Sequence, residues 1–216
     1  MGRRSAAWQA RPYRDALRAG RGPLFWRGSG GWLQPLEIER WCARADLADL
    51  TVLHRCVGPV LDIGCGAGRM VVALHGLAHQ GLGIDVSPEA VARTVRMGGR
   101  ALCRSVFDPL PDEGNWQTGL LIDGNVGIGG DPHALLERVA QFTPAEGLLL
   151  VETACGDVDE RLVVRVDDGG RSVGAAFPWA RLDVAALLRV ARETGWDACE
   201  QWSTKRRCFV ALRRAA

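Results

Sequence analysis

The chain is poor in several residue types that would direct a functional reading. It has one lysine, Lys205, and one phenol, Tyr13. Its seven cysteines, at 42, 56, 65, 103, 155, 199 and 208, are odd in number and include no C-x-x-C pair. That pattern argues against a disulfide framework and against a zinc cage, and predicts small buried hydrophobes in a reducing compartment, which points to the cytoplasm. No apolar run reaches membrane-spanning length, and the arginines at the start are followed by no apolar core, so neither an anchor nor a secretory signal is expected. Net charge is only +2, from 27 basic and 25 acidic residues, which makes no demand for nucleic acid or an anionic membrane. Repeats and low-complexity tracts are absent too. His54, His75 and His79 have no partners in pattern, so no metal is expected.

What is present is an ordinary globular composition, 47% hydrophobic and 24% charged, in 216 residues, enough for one domain with a small appendage. Arginine is unevenly spread. Arg3, Arg4, Arg11, Arg14, Arg18, Arg21 and Arg27 crowd a leader, residues 1–35, that also holds Trp8, Tyr13, Phe25, Trp26 and Trp32. The basic excess reads as a compositional habit on solvated faces, with a nucleic-acid-binding arm as the alternative. The aromatics suit either a lid over a pocket or a staple to the main core.

The most informative stretch is Val60-Leu61-Asp62-Ile63-Gly64-Cys65-Gly66-Ala67-Gly68-Arg69-Met70. An apolar run breaks into three alternating glycines, and Met70, Val71, Leu74, Leu77 and Ala78 then recur at helical spacing, predicting strand, glycine turn and helix. Glycines let backbone approach a ligand, and the helix start offers unpaired N–H groups and partial positive charge. A dinucleotide fingerprint requires glycine where Arg69 stands, which disfavours a nicotinamide oxidoreductase. An acid two places before the first glycine suits a ligand bearing a cationic amino group.

The pattern D-x-G-x-G-x-G at Asp62, Gly64, Gly66 and Gly68 resembles motif I of the class I S-adenosylmethionine (SAM) methyltransferases. Asp85 ends the second strand, Leu82–Val86, 17 residues beyond Gly68, near the spacing at which an acid in nucleotide-binding α/β folds reaches ribose hydroxyls. Ser87-Pro88-Glu89 starts the next helix. Ala101–Phe107 reads as a third strand, and Leu120–Asp123 as a fourth, leading into a glycine-rich loop that ends at Asp131-Pro132-His133. Pro35–Val57 reads as one broken helix, 161–177 as an inserted hairpin, and 196–202 with 207–212 as a closing pair of strands.

The resemblance implies a Rossmann-like α/β three-layer sandwich over residues 36–216. Its seven-stranded, mostly parallel sheet would have the order 3-2-1-4-5-7-6 and an antiparallel last strand. It further implies SAM as cofactor, S-adenosylhomocysteine (SAH) as product, no metal and a small-molecule substrate, in what looks like a small-molecule actinobacterial branch. Asp62 with Gly64, Cys65, Gly66 and Gly68 would hold the amino-acid end of SAM, and Asp85 with Val86 the ribose. Ser105, Val106 and Phe107 would surround the adenine, with Ser105 replacing the family's usual acid. Asp123, Gly124 and Asn125 would floor the sulfonium region. Asp131, His133 and Tyr13 are the candidate general bases; histidine's ordinary pKa of about 6.5 suits that task. Two alternatives stand beside this reading. One is a SAM-binding module or enzyme without methyl transfer. The other is a nucleic-acid or protein methyltransferase using the arginine leader, although no N-P-P-Y or D-P-P-Y tetrapeptide follows strand four.

Overall fold

The computed structural model describes Trp8, residues 10–170 and residues 173–215. Arg3, Arg4 and Ser172 lie outside the described residues. The chain begins with α1 (Arg11–Ala19), β1 (Phe25–Gly28) and β2 (Leu33–Pro35). Then come α2 (Ile38–Cys42), α3 (Leu47–Leu53), β3 (Val60–Ile63), α4 (Arg69–Gly76), β4 (Gly81–Asp85), α5 (Pro88–Arg96) and β5 (Ala101–Cys103). The second half holds β6 (Thr118–Leu121), α6 (Pro132–Phe142), β7 (Leu148–Thr153), β8 (Asp159–Asp167), β9 (Phe177–Leu182), α7 (Val184–Glu193), β10 (Trp196–Thr204) and β11 (Arg207–Arg214).

Seven strands form the main sheet in the order β10-β11-β7-β6-β3-β4-β5. With the leader strands and the hairpin set aside, this is the expected order 3-2-1-4-5-7-6. The pairs β3·β4, β3·β6, β4·β5 and β6·β7 are parallel, while β11 runs antiparallel to both β7 and β10. β3 and β6 are buried at every position, as strands covered by helices on both faces must be. The order reverses between β3 and β6, so a crevice opens at their carboxyl ends.

A second, antiparallel sheet has the order β2-β1-β8-β9. Trp26 on β1 stands opposite Val166 on β8, which joins the leader to the hairpin across 140 residues of chain. Strand alternation then turns Trp26, Val164, Val166, Phe177 and Trp179 inward, where they pack with Tyr13, Leu17 and Ile38 in one apolar cluster.

Several expectations are corrected. The helix expected over Pro35–Val57 is two short helices, because Asp46 leaves helical geometry and caps α3 in a capping box with Asp49. The third strand stops at Cys103, and Ser105–Phe107 form a turn in which the Ser105 Oγ accepts from Phe107 N at 3.3 Å and Asp108 N donates to the Ser105 carbonyl at 3.1 Å. The fourth strand ends at Leu121, since Asp123 has a left-handed φ of 59°. Leu77 and Ala78 fall past the end of α4 and are exposed. The return strand of the hairpin is Phe177–Leu182, and Val173 makes only a bridge to Asp167. Cys155 and Cys208 form a disulfide, against the expectation for the cysteines. Cys208 stands opposite Thr153 in the β7·β11 ladder, which brings Cys155, two residues on, to a Cα–Cα distance of 5.8 Å. Cys103 and Cys199 are exposed, while Cys56 and Cys65 are the buried thiols.

Candidate active site

A cavity of about 670 Å³ opens at the carboxyl ends of β3, β4 and β6. One end is polar backbone and the other is aromatic.

The polar end is built on the glycine turn. Gly64, Gly66 and Gly68 all have left-handed φ, at 73°, 53° and 87°, so each of the three would strain any other residue. Gly64 N and Cys65 N both donate to the Ile84 carbonyl, at 2.8 and 3.0 Å, which fastens the turn to β4. Gly66 N donates to Asp85 Oδ2 at 2.9 Å, and Ser87 N to Asp85 Oδ1 at 2.7 Å. One carboxylate therefore organises both the turn and the start of α5. Burial pushes the Asp85 carboxyl up to about 6, against the N–H groups of Ser87 and Gly66, which favour its ionised form. A Cβ at Gly66 would make ordinary contacts with the Tyr13 hydroxyl, at 3.6 Å, and the Gly64 carbonyl, at 3.9 Å, at the edge of the cavity that this glycine lines. A Cβ at Gly68 would lie 2.6 Å from Thr94 Cγ2, so that glycine instead permits close packing of α4 against α5.

Asp62 is buried on β3 behind the turn. It is not among the residues that line the cavity, and its Oδ2 has no hydrogen-bond partner. Burial pushes its carboxyl up to about 7; Arg69 opposes this, while Asp123, Asp85 and Asp49 add to it. Cys65 lines the cavity with a thiol that burial raises well above its ordinary value, in keeping with a filler whose backbone matters. Gly83 on β4 makes room for it, since a Cβ there would lie 2.6 Å from Cys65 Sγ.

Val86, Ser105, Val106 and Phe107 all line the cavity. The turn carrying the last three is held from α6, where Arg138 donates to the Val106 carbonyl at 3.0 Å and to the Asp108 carbonyl at 2.9 Å. Asp123 and Asn125 line it as well, whereas Gly124 does not. Asn125 Nδ2 donates to the carbonyls of Ile63 and Gly64, at 2.8 and 2.9 Å, tying the loop after β6 to the glycine turn.

The three candidate bases are separated. Tyr13 lines the cavity, but burial, with Asp85 adding, pushes its phenol well above the ordinary value, so it stays neutral. Asp131 and His133 lie outside the cavity lining. Asp131 Oδ1 accepts from His133 N and Ala134 N to cap α6, and His133 Nε2 lies 2.7 Å from Glu193 Oε2 on the surface.

The sequence reading missed a charge network beneath the site. Arg69 opens α4 and reaches Asp49 at 2.9 and 3.0 Å and Asp123 at 3.0 Å. Asp123 also accepts from Arg40 at 2.7 Å, and its backbone N donates to Glu152 Oε2 at 2.8 Å. Arg207 then grips Glu152 with two bonds of 2.7 Å and Asp49 with one of 2.9 Å. Burial alone would raise the Asp49 and Asp123 carboxyls; Arg69 reverses this and holds both below the usual carboxylate range. No sequence spacing announces contacts between residues as distant as 49 and 207. The only local signal was an arginine where a nucleotide fold would carry glycine.

The aromatic end is closed by Trp8, Trp26, Trp41, Phe177 and Trp179 with Ile128. Ring centroids lie 4.9 Å apart for Trp8 and Tyr13, 5.3 Å for Trp8 and Phe177, and 5.3 Å for Trp26 and Trp179. Of these rings, Trp41, Phe177 and Trp179 were not singled out from sequence as site residues; Phe177 and Trp179 reach the cavity on β9 of the second sheet, and Trp41 reaches it from α2. Among the described residues, no group of three or more His, Cys, Asp and Glu is arranged to hold a metal, and no helix is long and apolar enough to cross a membrane.

Comparison with known proteins agrees with this architecture. No family model matches the chain. A release factor glutamine methyltransferase of Rhodospirillum rubrum is 32% identical in an alignment 190 residues long that covers 78% of this chain and 55% of that protein, so the chain spans about half the length of that curated relative. A SAM-dependent methyltransferase from Bacteroides fragilis, solved with SAH, superposes with a TM-score of 0.81 at 19% identity, covering 100% of this chain and 98% of that one. A Burkholderia thailandensis 1,6-didemethyltoxoflavin-N1-methyltransferase superposes with a TM-score of 0.60 at 15% identity, over 79% of this chain and 78% of that one. The chain has the Rossmann-like fold of the class I SAM-dependent methyltransferases.

Proposed function

We propose that the protein is a SAM-dependent methyltransferase of a small-molecule branch, acting on a small, partly apolar molecule. The observation that carries this is a single cavity with the glycine turn and Asp85 at one end and a wall of aromatic rings at the other. Gly66 lines the cavity, and a side chain there would project towards the Tyr13 hydroxyl into the room that a cofactor seated on this turn requires. When bound, SAM supplies a methyl carbon already activated by positive sulfur.

In this reading the turn from Gly64 to Gly68 receives the amino-acid end of SAM, and Asp62 faces it from behind as a carboxylate that an added cation would help to ionise. Asp85 receives the ribose with the lone pairs left over from Gly66 N and Ser87 N. The turn at Ser105–Phe107 borders the adenine through backbone and apolar surface. The charge network fixes Asp123, and the Asn125 amide locks the neighbouring loop, so the floor of the cavity is rigid before any ligand enters. The aromatic wall positions the acceptor and excludes water; alignment of this kind supplies on the order of 7 to 11 kcal/mol in good cases. Neither Asp131 nor His133 lies where it would take a proton from a molecule in the cavity.

Isothermal titration with SAM and SAH tests the cofactor assignment, and absence of binding at high micromolar concentration refutes it. Labelled SAM separates methyl transfer from a second reading, SAM binding without transfer. That reading is favoured by Ser105, whose hydroxyl is engaged by Phe107 N where the family usually offers an acid to the adenine. The curated relative raises a protein substrate as a further alternative. Against the amino-methylating kind, the chain after β6 reads Asp123-Gly124-Asn125-Val126 and contains no N-P-P-Y.

A further inference from the structure

A cofactor seated on the glycine turn, as the preceding reading has it, brings a carboxylate as well as an ammonium, and the two need opposite partners. Asp62 serves the ammonium. A carboxylate taken into the cavity without a donor would bear an uncompensated desolvation cost. Arg69 lines the cavity, but its three guanidinium nitrogens are all engaged with Asp49 and Asp123. Arg104 lines it beside Cys103 and Ser105, at the border assigned to adenine, and its Nη1 donates to the Pro109 carbonyl at 3.2 Å.

Tyr13 stands where a donor is wanted. Its helix, α1, rests on the glycine turn: Tyr13 and Leu17 pack with Ala67 of the turn and Ala90 of α5 in one apolar cluster. Arg93 of α5 fastens α1 there, donating to the Leu17 carbonyl at 3.2 Å and to the Cys42 carbonyl at 3.3 Å. The phenol ring meets Trp8 in a T-shaped pair at a centroid distance of 4.9 Å. Packing therefore fixes the ring.

The hydroxyl is left over. Tyr13 is only 4% exposed, yet its oxygen is not one of the occluded polar atoms without a partner, which do include the indole nitrogens of Trp26, Trp41 and Trp179. It makes no hydrogen bond among the described residues, so the little of Tyr13 that stays open to the cavity includes this oxygen. It lies 3.6 Å from the point where a Cβ on Gly66 would stand, directly against the turn. Burial and the nearby Asp85 keep the phenol protonated. A rigid, protonated hydroxyl with no acceptor is prepared for a ligand anion.

We propose that the Tyr13 hydroxyl donates a hydrogen bond to the carboxylate of the bound cofactor, which makes α1 part of the cofactor seat as well as of the aromatic compartment. The proton stays on the phenol oxygen and no covalent bond changes.

The test is isothermal titration of the full chain and of Tyr13→Phe with two ligands, SAH and S-(5′-adenosyl)-3-thiopropylamine. The second keeps the nucleoside and the ammonium and lacks only the carboxylate. Phenylalanine keeps the ring against Trp8 and removes only the oxygen. SAH should bind Tyr13→Phe about tenfold more weakly than the parent, the worth of a hydrogen bond to a charged group. The amine should bind both proteins alike, and the cycle over two ligands and two proteins isolates the contact between hydroxyl and carboxylate. A loss for the amine as large as that for SAH overturns the proposal, because the hydroxyl then serves the ribose or the packing. Equal SAH binding by the two proteins overturns it too. Either result, on protein that binds SAH, removes the role of Tyr13 alone, whereas failure of the parent to bind SAH removes the cofactor assignment and that role with it.

Discussion

Replacing Asp62 with asparagine should make the protein more stable at alkaline pH while blunting its response to cofactor. The carboxyl is buried with one oxygen unpartnered and is pushed up to about 7 from an ordinary 3.8. A carboxyl whose pKa is higher in the fold than in the unfolded chain favours folding while protonated, and that contribution is lost as pH rises through the folded value. At about 1.4 kcal/mol per pH unit the gap amounts to roughly 4 kcal/mol above pH 8, and water reaching the group reduces this to about 2 to 4 kcal/mol. For a chain of this size that is a gain on the order of 10 °C in Tm for Asp62→Asn at pH 8, shrinking towards zero near pH 4. Asp85, pushed up only to about 6, has largely finished titrating by about pH 7, so the limb between 7 and 8 belongs to Asp62. Under the proposed function the ionised form greets the cofactor amino group. The ionised fraction rises from about one in eleven at pH 6 to ten in eleven at pH 8, so the Kd for SAH should fall about tenfold over that range. The asparagine variant should lose most of that pH dependence. Thermal unfolding and titration calorimetry at several pH values decide it: Asp62→Asn no more stable than the parent at pH 8 would refute the reasoning.

The other predictions concern packing. Arg69→Ala leaves Asp49 with Arg207 and Asp123 with Arg40 as their remaining partners, and should cost about 1.5 to 3 kcal/mol in denaturant unfolding. Gly66→Ala should lower SAH affinity at least tenfold for a stability loss of only about 1 kcal/mol, because its Cβ makes no contact closer than 3.6 Å but enters the cavity. Gly68→Ala should cost more stability than Gly66→Ala, because its Cβ meets Thr94. Thiol titration of the denatured, unreduced protein should find five free cysteines, and reduction of Cys155–Cys208 should lower stability by about 2 to 4 kcal/mol.

The glycine turn was legible because its three left-handed residues and the apolar run before it are local requirements of one strand and one helix. Ser87 was likewise legible as the start of a helix, since a cap is decided within three residues. The strand order followed from the family resemblance, not from any periodicity. Long-range partners left no trace in the sequence. Trp26 meets Val166, Arg207 meets Asp49 and Cys155 meets Cys208 only after the sheets have closed. The third strand was read too long because Val106 and Phe107 are apolar for the cavity, and apolarity alone does not separate a strand from a ligand-facing turn.

The antiparallel ladder between Phe25–Gly28 and Val164–Asp167 has an evolutionary corollary. Under the proposed function it places acceptor choice on a separate platform, so exchanging residues of the outer sheet should retune what is methylated while the glycine turn goes untouched. The converse is fragility: cutting the leader ahead of Phe25 removes Trp8 and Tyr13, and under the proposed function should weaken what binds beside the cofactor, leaving Trp26, Trp41, Phe177 and Trp179 as the remaining rings of that compartment.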